Sequence, residues 1–392
     1  LTNLGERFKC PIPNKELERR WSAIREAMKE QSIDGLIIQN HNQFLGGYIR
    51  YFLDIPAPTY GTTIFFPVNE EMTVISHGAI DGPAVPPAWA TRGVLASKTY
   101  PIIQTLNYTD YDAPQAIVEK IKDSHYKKIG LVGLSLISAA LYQYIVAKLP
   151  GVEIVDATDL VDAIKAVKSE DEIALIRKTV ALHDHLAEAV PVLFRPGRKE
   201  SEIRSELKRL AMDMGSEEQN IVVGTEANDK AFIVDPFFDN REIKQGDRMV
   251  ILIEVNGPGG FYGEIARTWC LGEPSQDVLD AYAIATKAQK YIAGMLKPGA
   301  APSDLFKANN DFLISHGYAP EKRYFAHGQG YDMVERPAFV PRETMLLKEG
   351  MFLAIHPTAA NNKALAFSCD NYLITAKGAE LLNKTPQIVF SV

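Results

Sequence analysis

Little in this chain points to a secreted, membrane or nucleic-acid setting. Cysteine is scarce: Cys10, Cys270 and Cys369 are odd in number, far apart and without CxxC spacing, which argues against a disulfide framework and makes a reducing cytoplasm the expected compartment. No apolar run approaches the roughly 20 residues of a membrane span, and no basic-then-apolar segment opens the sequence at Leu1. Dense Lys/Arg patches are missing, and 42 basic against 49 acidic residues give a net charge of −7, so nucleic acid is not an expected partner. Repeats and low-complexity tracts are absent. What is there is an ordinary globular composition, 46% hydrophobic and 23% charged over 392 residues, long enough for two domains.

The periodicity supports that division. Leu17, Trp21, Ile24 and Met28 recur at helical spacing between Lys15 and Glu30, and a strand follows after Ile33-Asp34-Gly35. Strands are predicted at 62–67, 72–76, 129–133 and 152–155, with a helix over 114–122 whose Pro suits a first helical position. Such alternation predicts a mixed α/β domain over residues 1–163. At Ser169 a capping-box pattern with Glu172 and the stripe Ile173, Ile176 and Val180 open a long helix, which Pro196-Gly197 should end. Residues 164–392 then read as α+β: a helix over 201–214, strands from 220 to 271, helices over 277–295 and 301–315, and strands at 352–355 and 371–375.

Four segments could carry chemistry. Ile251–Thr268 reads as two strands around a Gly/Pro turn, with Tyr262, Glu264 and Ala266 on one face and Phe261, Ile265 and Arg267 on the other. Glu254 ends an otherwise apolar strand, where a carboxylate is costly unless paired or functional; pairing of Glu254 or Glu264 with Arg267 is the structural alternative. In His327-Gly328-Gln329-Gly330-Tyr331-Asp332, followed by Glu335-Arg336-Pro337, glycines beside a His let backbone approach a ligand. The third segment is the strand ending in His356-Pro357, and the fourth is Cys369-Asp370-Asn371.

The order of these segments resembles the superfamily of methionine aminopeptidases, prolidases and creatinases, the pita-bread fold, over essentially the whole chain. The resemblance rests on the junction helix AIKAVKSEDEIALIRKT, on Lys244-Gln245-Gly246-Asp247, and on the pattern of Gly260, Phe261, Glu264, Arg267 and Thr268. It continues through the His-Gly-x-Gly…Glu-x-Pro loop and the Gly350-Met351-Phe352 strand. It implies an α/β creatinase-like N-terminal domain on an α+β pita-bread catalytic domain, in a homodimer. Family peptidases hold two metal ions with two Asp, one His and two Glu. Here the first Asp position falls on Ile253, with Glu254 one residue off; Glu264 takes the second Asp, His327 the His, and His356 and Cys369 the two Glu positions.

Two readings follow from those departures. In the first, the dinuclear site is lost and the chain is a metal-independent, creatinase-like hydrolase of a C–N bond in a small polar, amino-acid-like, amide or amidine substrate. Glu254 or Glu264 would be nucleophile or base, and His327 or His356 proton donor. In the second, Glu264, His327, His356 and Cys369 bind zinc or iron in a metal-dependent Xaa-Pro peptidase or a dimethylsulfoniopropionate-lyase-like enzyme. The first is the expectation, with no cofactor. A non-catalytic peptidase-like binding domain is a further alternative, and the polar residues kept at the altered positions argue against it. Arg267 and Arg336 are expected to grip a substrate carboxylate, with Tyr262, Tyr331, Asp332, Glu335 and Cys369 as further contacts. Creatinase's catalytic His lands on Asp235, which makes creatine itself a poor substrate. The segment Phe44–Tyr48 resembles one that reaches the neighbouring active site in creatinase-like dimers, so Arg50, Tyr51 and Phe52 are expected contacts across a dimer. His41 and Trp269 read as structural.

Overall fold

The structure, a computed structural model, describes residues 10–40, 44, 46–56, 59–80, 88–103, 105–109, 111–227 and 240–392. It divides into two compact units, Pro11–Lys165 and Ala166–Val392. Asp235 and His41 lie outside the described residues. Among the described residues no helix is long and apolar enough to cross a membrane.

The first unit is built on a mixed sheet. Its elements run α1 (Asn14–Glu30), β1 (Gly35–Asn40), α2 (Gly47–Leu53), β2 (Thr62–Pro67), β3 (Met72–His77), β4 (Val94–Tyr100), α3 (Asp112–Asp123), β5 (Lys128–Val132), α4 (Ala139–Lys148), β6 (Glu153–Asp156) and α5 (Thr158–Lys165). The sheet order is β4-β3-β2-β1-β5-β6, with β1 antiparallel to β2 and parallel to β5. Leu17, Trp21, Ile24 and Met28 form the buried stripe of α1 that their spacing predicts. The helix expected from Pro114 starts two residues earlier, at Asp112.

Arg50, Tyr51 and Phe52 are not surface contacts. All three lie in α2 and are at most 4% exposed. Arg20 sits over the Tyr51 ring at 4.5 Å, Phe52 packs edge-on to Phe66 at 5.0 Å, and the charge of Arg50 faces the buried Asp54. A helix this short is held by burying its aromatic face.

The second unit opens with α6 (Glu170–Leu193). Its capping box forms as read: the Ser169 backbone N–H donates to Glu172 Oε2 at 2.8 Å while Ser169 Oγ accepts from the Glu172 N–H. There follow α7 (Glu200–Asp213), β7 (Gln219–Ala227), β8 (Asp247–Asn256), β9 (Tyr262–Cys270), α8 (Gln276–Ala293), α9 (Pro302–Ser315), β10 (Ala326–Gly328), β11 (Glu335–Ala338), β12 (Phe352–Ile355), β13 (Thr358–Ala360), β14 (Leu365–Phe367), β15 (Asp370–Thr375), β16 (Gly378–Leu381) and β17 (Val389–Ser391). One sheet has the order β17-β9-β8-β7 and the other β11-β10-β12-β15-β16. The two are joined where Ala266 and Cys369 exchange backbone hydrogen bonds at 3.3 Å each.

Alternation decides which residues of the first sheet are available for chemistry. Met249, Ile251, Ile253 and Val255 of β8 point into a core formed with Leu182, Leu186 and Val190 of α6 and Ile203 and Leu207 of α7. Leu252 and Glu254 therefore face the other way. The β8–β9 turn closes through Gly259 and Gly260, at φ +97° and +86°, a conformation costly for any side chain with a Cβ.

Candidate metal and catalytic site

Glu264 is placed by β9, whose register sets it directly opposite Glu254 of β8. Ile253 pairs with Ile265 and stays in the core, so no strand slip brings it to the site. Glu254, though one residue away from the expected ligand position, is the carboxylate on the correct face. Asn220 of β7 donates to Glu254 Oε2 at 2.7 Å. Directly opposite residues of an antiparallel pair have Cβ atoms about 4.5–5.5 Å apart, so the two carboxyls share one desolvated patch. Burial, then the charge of Glu264, raise the Glu254 pKa. For Glu264 burial pushes upward as well, but the His356 and His327 imidazoles outweigh it and hold this carboxyl below the usual range.

The second sheet delivers the histidines. His327 of β10 pairs with Ala354 of β12, and His356 lies two residues beyond Ala354, so both rings rise from one face with centroids 5.2 Å apart. Gly328 and Gly330 permit this loop to fold, because a Cβ on Gly328 would meet the Arg336 carbonyl at 2.4 Å and one on Gly330 the Glu335 carboxylate at 2.4 Å. His327 Nδ1 lies 2.9 Å from the Gly328 carbonyl, which can only accept. That contact places a proton on Nδ1, and Nε2 lies 3.5 Å from Glu264 Oε2. Glu264 Oε2 is buried without a hydrogen-bond partner. Burial pushes His356 down to about 4, so its imidazole is neutral at pH 7 with a lone pair to give.

Glu264, His327 and His356 can each turn a ligand atom to within 4.8 Å of the other two. Two imidazole nitrogens and one carboxylate oxygen make a common donor set for catalytic zinc and for non-haem iron. The 3.5 Å separation of Nε2 and Oε2 suits one ion bonded to both at typical lengths of about 2.0–2.2 Å. The residues fit one divalent ion. They do not fit the two-ion arrangement, whose two Glu positions are taken here by His356 and Cys369.

Cys369 does not belong to this set. Its thiol donates to the Glu264 carbonyl oxygen at 3.8 Å from a pocket with Ala266 and Ala354. Burial, then the Glu264 charge, raise its pKa well above the ordinary thiol value, which disfavours the thiolate a metal would need.

A cavity of about 490 Å³ opens onto the cluster. Val222, Leu252, Leu365 and Phe367 supply its apolar wall, while Glu264, His356, Thr358, Glu321, Arg323 and Tyr324 supply polar groups. Arg323 and Glu321 were not singled out from sequence. The only available signal was the charged run Glu321-Lys322-Arg323 just ahead of His327, and a solvated turn has the same composition.

Several expected substrate contacts are structural instead. Arg267 is fully buried and spends its donors on Asp370 at 2.5 Å and on the carbonyls of Ala266, Cys369, Thr385 and Pro386. It therefore pairs with neither Glu254 nor Glu264. Arg336 forms an ion pair with Glu343 at 2.6 Å, and Glu335 one with Lys168 at 2.9 Å. The Tyr262 hydroxyl donates to Glu218 at 2.5 Å, and Tyr331 stacks on Phe261 with centroids 4.2 Å apart. The Asp332 backbone N–H donates to Glu335, inside the same folded loop. Among the described residues none of these lines the cavity. Trp269 is buried against Phe390, as expected of a structural residue.

Fold and site together define a two-domain relative of pita-bread peptidases. Residues 174–376 match metallopeptidase family M24 and residues 20–167 match the creatinase/prolidase N-terminal domain. The chain belongs to metallopeptidase family M24. A probable dipeptidase PepE of Mycobacterium bovis is 30% identical over 225 residues, covering 56% of this chain. The match spans 58% of that relative's length. The Xaa-Pro dipeptidase of Pyrococcus horikoshii is 27% identical over 283 residues, covering 68% of this chain and 78% of its own. In fold, the dipeptidase PepE of Mycobacterium ulcerans superposes with a TM-score of 0.79 over 97% of this chain and 99% of that one, at 23% identity.

Proposed function

We propose that this chain hydrolyses the C–N bond of a small dipeptide-like substrate, Xaa-Pro dipeptides among them, at a site holding one divalent ion. The observation that carries the proposal is the buried Glu264 Oε2, without a hydrogen-bond partner and 3.5 Å from His327 Nε2, with His356 beside it. The peptidase relatives support the reaction class. This reading is preferred to the metal-independent expectation, since Glu264, His327 and His356 could together hold one cation.

Glu264, His327 and His356 would hold the ion, zinc or iron by donor type, and when bound it polarises the scissile carbonyl and lowers the pKa of the attacking water. Glu254 is the proton carrier. Opposite Glu264 and steadied by Asn220, it gives a proton to the leaving nitrogen as the C–N bond breaks, and recovers one from the water whose hydroxyl is left on the acyl carbon. The apolar wall of Val222, Leu252, Leu365 and Phe367 takes the substrate's hydrocarbon part and excludes bulk water.

The test is metal analysis of the purified protein together with turnover of a dipeptide panel before and after chelation. One zinc or iron per chain, whose removal abolishes turnover and whose return restores it, is expected. Undiminished hydrolysis by chelated, metal-free protein would instead select the metal-independent reading, in which the Glu254–Glu264 pair alone serves as acid and base.

A further inference from the structure

The loss of Arg267 and Arg336 to structural pairs leaves the substrate's charge without its expected partner. A dipeptide with a free C-terminus carries a carboxylate, and the cavity already presents one in Glu264 and another in Glu321. Some cation has to balance it.

Arg323 meets that need. It lines the cavity with Glu264 and His356, is exposed, and among the described residues has no ion pair or side-chain hydrogen bond. Its guanidinium lies over the Tyr324 ring at 4.6 Å. The same ring packs edge-on to His327 at 5.3 Å and to His356 at 6.0 Å. Tyr324 thereby connects the arginine to the histidines through ring contacts. A guanidinium held against an aromatic face has fewer rotamers to lose on binding and keeps its planar donors for a bidentate partner. Its charge is felt at Glu321 of the same cavity and at Glu254 and His356.

We infer that Arg323, braced on Tyr324, is the specificity-determining residue that binds the free carboxylate of the substrate and so selects dipeptide-like acids over their amides and over longer peptides. One carboxylate is the fitting anion. A planar, singly charged group matches one guanidinium in a bidentate pair, whereas a phosphate would add a second charge beside Glu264. The inference rests on the proposed hydrolytic reading, and its test separates the two.

Hydrolysis of alanylproline and of alanylprolinamide is compared in the wild type, Arg323→Gln, Arg323→Lys and, as a control, the exposed neighbour Lys322→Gln. In parallel, titration calorimetry measures L-proline and L-prolinamide on the wild type and Arg323→Gln. The preference for acid over amide in kcat/KM should fall by about 10–100-fold in Arg323→Gln, the worth of a charge-assisted pair. The loss should lie mainly in KM, with partial retention in Arg323→Lys and none of it in Lys322→Gln. Proline should bind the wild type more tightly than prolinamide, and Arg323→Gln should bind both alike. Turnover with an unchanged acid:amide ratio in Arg323→Gln overturns the role of Arg323 and leaves the hydrolytic reading standing. If the wild type cleaves neither peptide the hydrolytic reading fails, and calorimetry decides alone: an Arg323-dependent preference for proline supports the inference, and its absence rejects it.

Discussion

Two buried clusters of opposite character sit on β9, three residues apart. Around Arg267, every nitrogen has an acceptor: both Nη atoms reach Asp370, carbonyls of Ala266, Cys369, Thr385 and Pro386 share the three nitrogens, and Gln387 completes Asp370 at 2.8 Å. Around Glu264, an equally buried carboxylate oxygen has no hydrogen-bond partner and lies 3.5 Å from His327 Nε2. Burying charge is costly in both places. The first cluster recovers that cost internally and behaves as scaffold. The second is incomplete without a cation, and this incompleteness separates a site from a brace where residue type and burial do not.

The largest effect should come from completing or emptying the second cluster. Chelation, or His356→Ala, should remove the bound metal and lower turnover by roughly 10⁴-fold or more, and the unfolding midpoint should fall as well, because an ion held only by the folded state stabilises it. Metal analysis beside steady-state kinetics reads both. Retention of stoichiometric metal in His356→Ala would sink the three-residue site.

Breaking the first cluster should have the reverse signature. Asp370→Ala strands the Arg267 guanidinium in the interior and should cost about 3–5 kcal/mol in chemical denaturation. Whatever Asp370→Ala protein folds should still bind metal, since none of the three ligands has moved. A variant of normal stability would show that the Arg267 network is not the brace described.

Glu254→Gln sharpens the boundary between holding the ion and moving the proton. It should lower kcat by about 10²–10³-fold, the usual worth of a general acid–base group, with metal content intact. Loss of metal in this variant would instead make Glu254 a ligand.

The legibility of these clusters in the sequence was uneven for a physical reason. Local patterns were readable: the Ser169–Glu172 capping box, the stripe of α1 and the alternation of β8 and β9 all depend on residues within a few places of one another. Glu264, His327 and His356 stood out because polar side chains interrupt apolar strands. Partners were not readable. Arg267 finds Asp370, and Glu335 finds Lys168, across more than a hundred residues, so sequence showed the charges and not their satisfaction. Arg336 is the instructive exception, since Glu343 stands seven residues on and could have been considered. Arg323 stayed hidden because nothing local distinguishes an unpaired cation at a cavity from one in water.

Glu343 offers a carboxylate control for Glu264. Burial raises its pKa, but Arg336 and the backbone N–H groups of Met345 and Ala338 outweigh that and hold it below the ordinary range. A depressed folded-state value stabilises the fold above the unfolded carboxylate pKa, and that contribution is lost as pH falls through the lowered value. Glu343→Gln should therefore cost about 1–2 kcal/mol at pH 7 and progressively less below pH ~4. A cost independent of pH would mean that packing, not charge, is what Glu343 supplies.

The smallest effect separates Cys369 from the ligands it neighbours. Its sulfur makes a long hydrogen bond to the Glu264 carbonyl, also contacts the Glu264 carboxyl, and packs on Ala266 and Ala354. Removing a sulfur from such a site loses a weak donor and leaves a void near the size of a methyl group, about 1 kcal/mol. Cys369→Ala should accordingly bind the same amount of metal, with turnover within a few-fold of wild type, because the backbone bonds between residues 266 and 369 that join the two sheets do not involve the side chain. A marked fall in metal affinity would place the thiolate in the coordination sphere. The contrast between a closed brace and an open three-residue site would then have to be redrawn with Cys369 on the open side.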